Sequence, residues 1–126
     1  MDCKNLKILI CDDSIISRKK IKDILAKLSC SNLYEAKDGQ EAIDMYIKSC
    51  PNVVFMDITM PVKTGIEALQ EIIKINKKAK VIITSSSITQ SHIKAAIDAG
   101  AYDFMQKPFV EEQINKIIKR VSEGGE

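Results

Sequence analysis

Short apolar runs alternate with apolar stripes at helical spacing, five times along 126 residues. The strongest runs are LKILIC at 6–11, VVFM at 53–56 and VIIT at 81–84, with weaker ones in NLYEA at 32–36 and YDFMQ at 102–106. The stripes between and after them are Ile21, Ile24, Leu25 and Leu28; Ile43, Tyr46 and Ile47; Ile66, Leu69, Ile72 and Ile73; Ile93, Ala96 and Ile97; and Ile114, Ile117, Ile118 and Val121. Runs of this length predict strands, and the i, i+3, i+4 stripes predict helices. Strand–helix alternation implies βαβ units, hence an α/β fold with a parallel sheet, right-handed crossovers and helices on both faces. Continuously apolar strands suit that arrangement, because both faces of the sheet are covered. Ser14 is positioned to cap the first helix and Gly100 to stop the fourth. No linker-like stretch divides the chain, so one domain over 1–126 is expected, with only the tail SEGGE reading as a frayed end or the start of a linker.

Composition excludes several classes. A formal net charge of +2 is too small to argue for nucleic acid by itself. No apolar run approaches the roughly 18 residues of a membrane span, and MDCKNLK lacks the apolar segment of a signal peptide. A cytoplasmic protein is the expectation. Cysteines at 3, 11, 30 and 50 form no Cys-x-x-Cys pair, and the single histidine, His92, is remote from them. That spacing suits neither zinc nor a disulfide framework, so reduced structural thiols and a surface His92 on a helix are expected.

Ligands of an open parallel α/β sheet collect at the carboxyl ends of its strands. The first strand ends in Asp12 and Asp13, the third in Asp57, the fourth in Thr84–Ser87, and the fifth in Lys107 before Pro108. Each has a plain structural use alone: Asp13 or Ser14 as a helix cap, Asp57 as the start of a turn, Lys107 as a surface lysine. Brought to one edge from separate strands, they make an oxygen-rich site. Hard cations want such a site, and Mg2+ binds through one or two carboxylates while keeping several waters. Spare coordination positions would suit phosphate oxygens, with the Lys107 ammonium and a serine hydroxyl as further donors. A carboxylate such as Asp57 could then attack phosphorus and become an aspartyl phosphate.

These residues resemble a response-regulator receiver domain over essentially the whole chain. The resemblance is carried by the Asp12–Asp13 pair, Asp57, the following Met60–Pro61 and Gly65, the hydroxyl at Ser85, and Lys107–Pro108. It implies a flavodoxin-like (βα)5 sandwich with strand order 2-1-3-4-5, and the free-standing chemotaxis (CheY-like) type of the family. By resemblance Asp57 is the phosphoacceptor, Asp13 a direct Mg2+ ligand, and Asp12 a ligand acting mainly through a metal-bound water. Asp57 and the backbone carbonyl of Thr59 complete the protein's share of the metal, and Lys107 pairs with phosphoryl oxygens across a cis bond to Pro108. The switch hydroxyl falls on Ser85, where threonine is commoner, with Thr84 as its rival and the last buried residue of the fourth strand. The aromatic switch position falls on Phe104, often tyrosine in the family, so an output contact through a phenol is not available here.

The resemblance further implies a phosphorelay switch and no separate substrate turned over. It would accept a phosphoryl group from a histidine kinase or histidine phosphotransfer protein and present its α4-β5-α5 surface to an output protein. A monomer binding neither nucleic acid nor membrane is expected. The alternative is an N-terminal receiver module of a longer regulator with a DNA-binding or enzymatic output domain. A haloacid-dehalogenase-type phosphatase needs a second acid two residues after its nucleophile, where this chain has Thr59. A flavodoxin would have its flavin phosphate repelled by Asp12 and Asp13. The first helix carries Arg18, Lys19, Lys20, Lys22 and Lys27 against Asp23; this reads either as a solvated face balancing the acidic pocket or as a contact surface for an acidic partner.

Overall fold

The computed structural model describes residues 5–87 and 89–124. Five strands and five helices alternate: β1 Lys7–Cys11, α1 Ile15–Lys27, β2 Asn32–Ala36, α2 Gly39–Ser49, β3 Val53–Asp57, α3 Gly65–Ile75, β4 Val81–Ser85, α4 Gln90–Ala99, β5 Asp103–Gln106 and α5 Glu111–Ser122. All neighbouring strands are parallel, in the order β2-β1-β3-β4-β5. This is the expected flavodoxin-like architecture, and it brings β1 and β3 side by side at the middle of the sheet.

Successive strand residues face opposite sides of the sheet, and each side has its own core. Leu9, Cys11, Val54, Met56, Val81 and Ile83 pack with Ala42, Ile43 and Tyr46 of α2, Ala68, Leu69 and Ile72 of α3, and Ala96 of α4. Ile8, Ile10, Val53, Phe55, Ile82 and Met105 pack with Ile21 and Leu25 of α1 and with the fully periodic stripe of α5. Each large aliphatic side chain so buried stabilises the fold by about 1.5–3 kcal/mol. Two stripe members depart from expectation: Ile47 and Ile97 are exposed. Their helices are anchored through Ile43 and Tyr46 in one case and Ala96 in the other, so the sheet covers a narrower arc than the apolar pattern suggested.

The helix ends follow local chemistry. Ser14 caps α1 through Ser17 N, and Gly100 closes α4 at φ 98°. Thr64 and Glu67 exchange side-chain and backbone hydrogen bonds in a capping box that starts α3. Gly65, the next residue, donates to the carbonyl of Ile58 at 2.8 Å. A Cβ there would collide with the carbonyl oxygen of Asp57. Glycine at this position is what lets the loop after β3 fold back tightly behind the aspartate.

Cysteine chemistry differs in part from expectation. Cys11 and Cys50 carry free thiols, and burial pushes the Cys11 thiol up, further raised by the Glu41 and Asp12 charges. Cys30, however, is disulfide-bonded. Cysteine spacing alone could not show this, because the chain has no motif that marks Cys30 for pairing. Cys3 lies outside the described residues.

Candidate functional site

Asp12 sits one residue beyond β1, where its N–H donates to the Ala36 carbonyl, and its side chain is only 2% exposed. A buried carboxylate must have its oxygens satisfied, and both are: Oδ1 accepts from Ser14 N at 2.9 Å and Oδ2 from Lys107 Nζ at 2.7 Å. The neighbouring Asp13 is exposed. Asp57 is the last residue of β3, buried, with Oδ1 3.5 Å from Lys107 Nζ. The three carboxylates each offer an oxygen within 4.8 Å of the others.

At such separations each pair of ionised carboxylates repels by about 3 kcal/mol or more at an effective dielectric near 20. One ammonium cannot cancel three such charges. Burial accordingly raises the Asp57 carboxyl to about 6, with the Asp12 charge adding to the rise and Lys107 opposing it. A divalent cation fits this donor set, which is hard, oxygen-only and short of two positive charges. The cluster therefore meets the chemical requirement that its sequence pattern implied.

Lys107 reaches the cluster because its own N–H donates to the Ser85 carbonyl at 2.8 Å, which continues the β4–β5 ladder past Gln106. Its peptide bond to Pro108 is cis, as expected. Strand β4 runs one residue further than expected, so Ser85 rather than Thr84 is its last residue, and both are buried. Ladder bonding carries it on: Ser85 still pairs with Gln106. The Ser85 hydroxyl donates to the Ser87 carbonyl at 2.8 Å and accepts from Ser87 N at 3.1 Å. Thr59 is exposed in the loop two residues beyond Asp57. Phe104 lies on β5 beside Ile83, half-buried and packed against the α2-α3-α4 core.

Three neighbours were missed from sequence. Arg18 is half-buried, its side chain 14% exposed; its Nη1 donates to the Asp12 carbonyl at 2.6 Å and its Nε to Glu35 at 2.9 Å. It is thus no solvated lysine-like residue but a brace between α1, β2 and the aspartate pair. Although burial alone would raise the Glu35 carboxyl, hydrogen bonds from Lys22 and Arg18 hold it below its ordinary value. Ser17 Oγ lies 3.4 Å from Lys107 Nζ. His92 Nδ1 lies 3.2 Å from the Ser87 carbonyl, so the histidine is tied to the loop that holds Ser85. For Arg18 a signal existed: one helical turn past Ser14, it shares the face that begins at the aspartates.

A parallel α/β sheet with an acidic cluster and a lysine at its carboxyl edge defines a phosphoryl-handling receiver. The family described as response regulator receiver domain matches residues 8–119, and the chain belongs to that family. It is 43% identical to Protein CcdB of Bacillus subtilis over 91% of this chain and 96% of that one. It is 40% identical to chemotaxis protein CheY of Thermotoga maritima over 92% of this chain and 97% of that one. Among solved structures, the CheX-CheY-BeF3-Mg+2 complex from Borrelia burgdorferi matches with a TM-score of 0.87 and 29% identity, over 93% of this chain and 89% of that chain. The chain is a CheY-like signalling switch of a phosphorelay. Among the described residues, no helix is long and apolar enough to cross a membrane.

Proposed function

We propose that Asp57 is the phosphoacceptor of this switch and that residues 1–126 work as a single receiver domain. The carrying observation is the buried position of Asp57 at the end of β3, within reach of Asp12, Asp13 and Lys107. A carboxylate oxygen of Asp57 would attack the phosphorus of a phosphohistidine. The P–O bond forms as the P–N bond breaks, and the departing imidazole takes up a proton. Asp57 must be ionised to attack, and its raised pKa leaves it largely so at neutral pH.

Mg2+ bound here would neutralise the carboxylates and offer positions for phosphate oxygens. Asp13, Asp57 and the Thr59 carbonyl are the direct ligands in this reading. Both oxygens of Asp12 already serve Ser14 and Lys107, whereas Asp13 is exposed. That difference supports a direct role for Asp13 and a water-mediated one for Asp12. Lys107 would move from Asp12 toward the new phosphoryl oxygens.

Ser85 would supply the other donor. To do so its hydroxyl must leave the Ser87 carbonyl, which couples phosphate to the β4–α4 loop. Phe104, half-buried, can then turn inward and alter the α4-β5-α5 surface. The donor is a histidine kinase or histidine phosphotransfer protein, the reader is an output protein that binds the altered surface, and the likeness to CheY proteins supports a pathway in chemotaxis. The chain turns over no separate substrate and resides in the cytoplasm.

The test is phosphorylation by acetyl phosphate with and without Mg2+. Uptake is expected only with Mg2+ and only with Asp57 present. Incorporation at the wild-type rate in Asp57→Asn would overturn the assignment.

A further inference from the structure

The opposite edge of the sheet holds a second concave site. The α3–β4 connection, the α4–β5 connection and the last turn of α5 border an open cleft of about 390 Å3. Lys77, Lys78, Lys80 and Arg120 line it together with Tyr102, and no lining residue is acidic. Among the described residues no carboxylate pairs with any of the three lysines, whereas seven of the other lysines are ion-paired on the surface or at the carboxylate cluster. Arg120 gives Nη2 to Asp103 at 2.8 Å and sets its guanidinium 4.9 Å from the Tyr102 ring centroid. Lys80 Nζ lies 6.0 Å from the same centroid. The tyrosine ring thus holds two of the four cations by its face.

Helices α3, α4 and α5 all end at this edge, so cations there complement the carbonyl ends of helices. That effect fades within the last turn. It accounts for Arg120, which lies in the last turn of α5. It does not account for Lys77, Lys78 and Lys80, which follow the end of α3 at Ile75. Three lysines without a carboxylate partner on one concavity favour an anion there.

We propose that this cleft binds a diphosphate group, carried by inorganic pyrophosphate or by a nucleoside diphosphate. The three lysines match the charge of a diphosphate, while Arg120, balanced by Asp103, adds no net charge. The cleft lies at the small end of the size range of ligand pockets, which fits one small molecule and not a duplex or a partner helix. Tyr102 could stack on a nucleobase only in exchange for one of the two cations it now faces, an exchange that pyrophosphate could not make.

Calorimetric and amide-NMR titrations of the whole chain would test this, in EDTA so that no metal draws phosphate to the carboxylates. The probes are pyrophosphate, ADP and a phosphate-free hexaglutamate peptide. Saturable shifts centred on Lys78, Gly100 and Tyr102 are expected. Lys78→Ala with Lys80→Ala should weaken binding by about tenfold or more, since a charged hydrogen bond is lost at each. Lys19→Ala with Lys20→Ala, equal in charge but on α1, should leave affinity unchanged. Tighter binding of ADP than pyrophosphate, lost in Tyr102→Leu, identifies the nucleoside form, and equal binding identifies the bare diphosphate. The proposal is overturned by the absence of saturable binding to millimolar concentration, by shifts centred elsewhere, by equal losses in the two lysine pairs, or by hexaglutamate binding as tightly as the phosphates. Unchanged thermal unfolding of the variants would exclude loss of fold as the cause.

Discussion

The Lys107 ammonium lies 2.7 Å from Asp12 Oδ2 but 3.5 Å from Asp57 Oδ1. The lysine is therefore held by the buried aspartate of β1 and only secondarily by the aspartate that we assign as phosphoacceptor. An ammonium in this position competes with any cation for the same oxygens. Lys107→Ala is expected to bind Mg2+ several-fold more tightly than wild type, because a like charge about 5 Å away is worth a few kcal/mol at a dielectric near 20 and part of that is screened. The same variant should respond poorly to phosphorylation. Weaker Mg2+ binding by calorimetric titration would show that Lys107 organises Asp12 rather than contending for it.

Asp57 sets a pH dependence whose sign is fixed. Its carboxyl is raised to about 6 from 3.8, first by burial and then by the Asp12 charge. A raised carboxyl binds its proton more tightly in the folded chain, so its contribution to stability is complete below pH 3.8, the unfolded value, and is lost as pH rises through 6. Asp57→Asn has no such loss. In EDTA at neutral pH it should be more stable than wild type by about 1–3 kcal/mol, and the gap should close toward pH 4. Urea unfolding at several pH values measures this, and a gap that is constant with pH would contradict it.

Removing the Ser85 hydroxyl is expected to separate acceptance of phosphate from its readout. Ser85→Ala is expected to take up phosphate to a similar extent while the NMR shift changes at Phe104 and α4 shrink. A hydrogen bond to a charged group contributes roughly 1.5–3 kcal/mol, enough to shift a two-state population about tenfold or more. Wild-type-sized changes around α4 and β5 in the variant would remove Ser85 from the switch.

Val62, in the loop after Asp57, has φ 69° and a side chain in solvent at 76% exposure. A branched residue in the left-handed region costs about 1–2 kcal/mol, and no packing repays it. Glycine relieves the strain but gives the unfolded chain about 0.4–1 kcal/mol of extra entropy. Val62→Gly should therefore raise stability by up to about 1 kcal/mol, a few degrees in thermal unfolding. A lower melting temperature would mean that the valine side chain holds the loop.

The strands were legible because the chain writes them as apolar runs: NLYEA fell on β2 residue for residue, and VVFM and VIIT each lacked only a last polar residue, Asp57 and Ser85. Those endings are where burial and polarity disagree, so an apolarity pattern stops one residue short there. The identities of the cluster residues were legible too, because strand ends in a parallel sheet converge. What sequence could not show was their pairing. That Asp12 rather than Asp57 holds the lysine depends on depth, since Asp12 is the more enclosed of the two. Arg18 was grouped with exposed lysines because charge says nothing of burial; its planar fork fits between the Asp12 carbonyl and Glu35.

The position of Lys107 at the end of the last strand bears on biosynthesis. Asp12, Asp13 and Asp57 all leave the ribosome in the first half of the chain, and their common counter-ion comes near the end. Until β5 docks on β4, a nascent chain carries uncompensated acids and no lysine to receive a phosphoryl oxygen. On the roles we propose for Asp57 and Lys107, a chain that lacks β5 would hold the acids without the ammonium that answers them. A chain stopped after residue 102 is expected to take up no phosphate from acetyl phosphate with Mg2+, which radiolabel incorporation would measure.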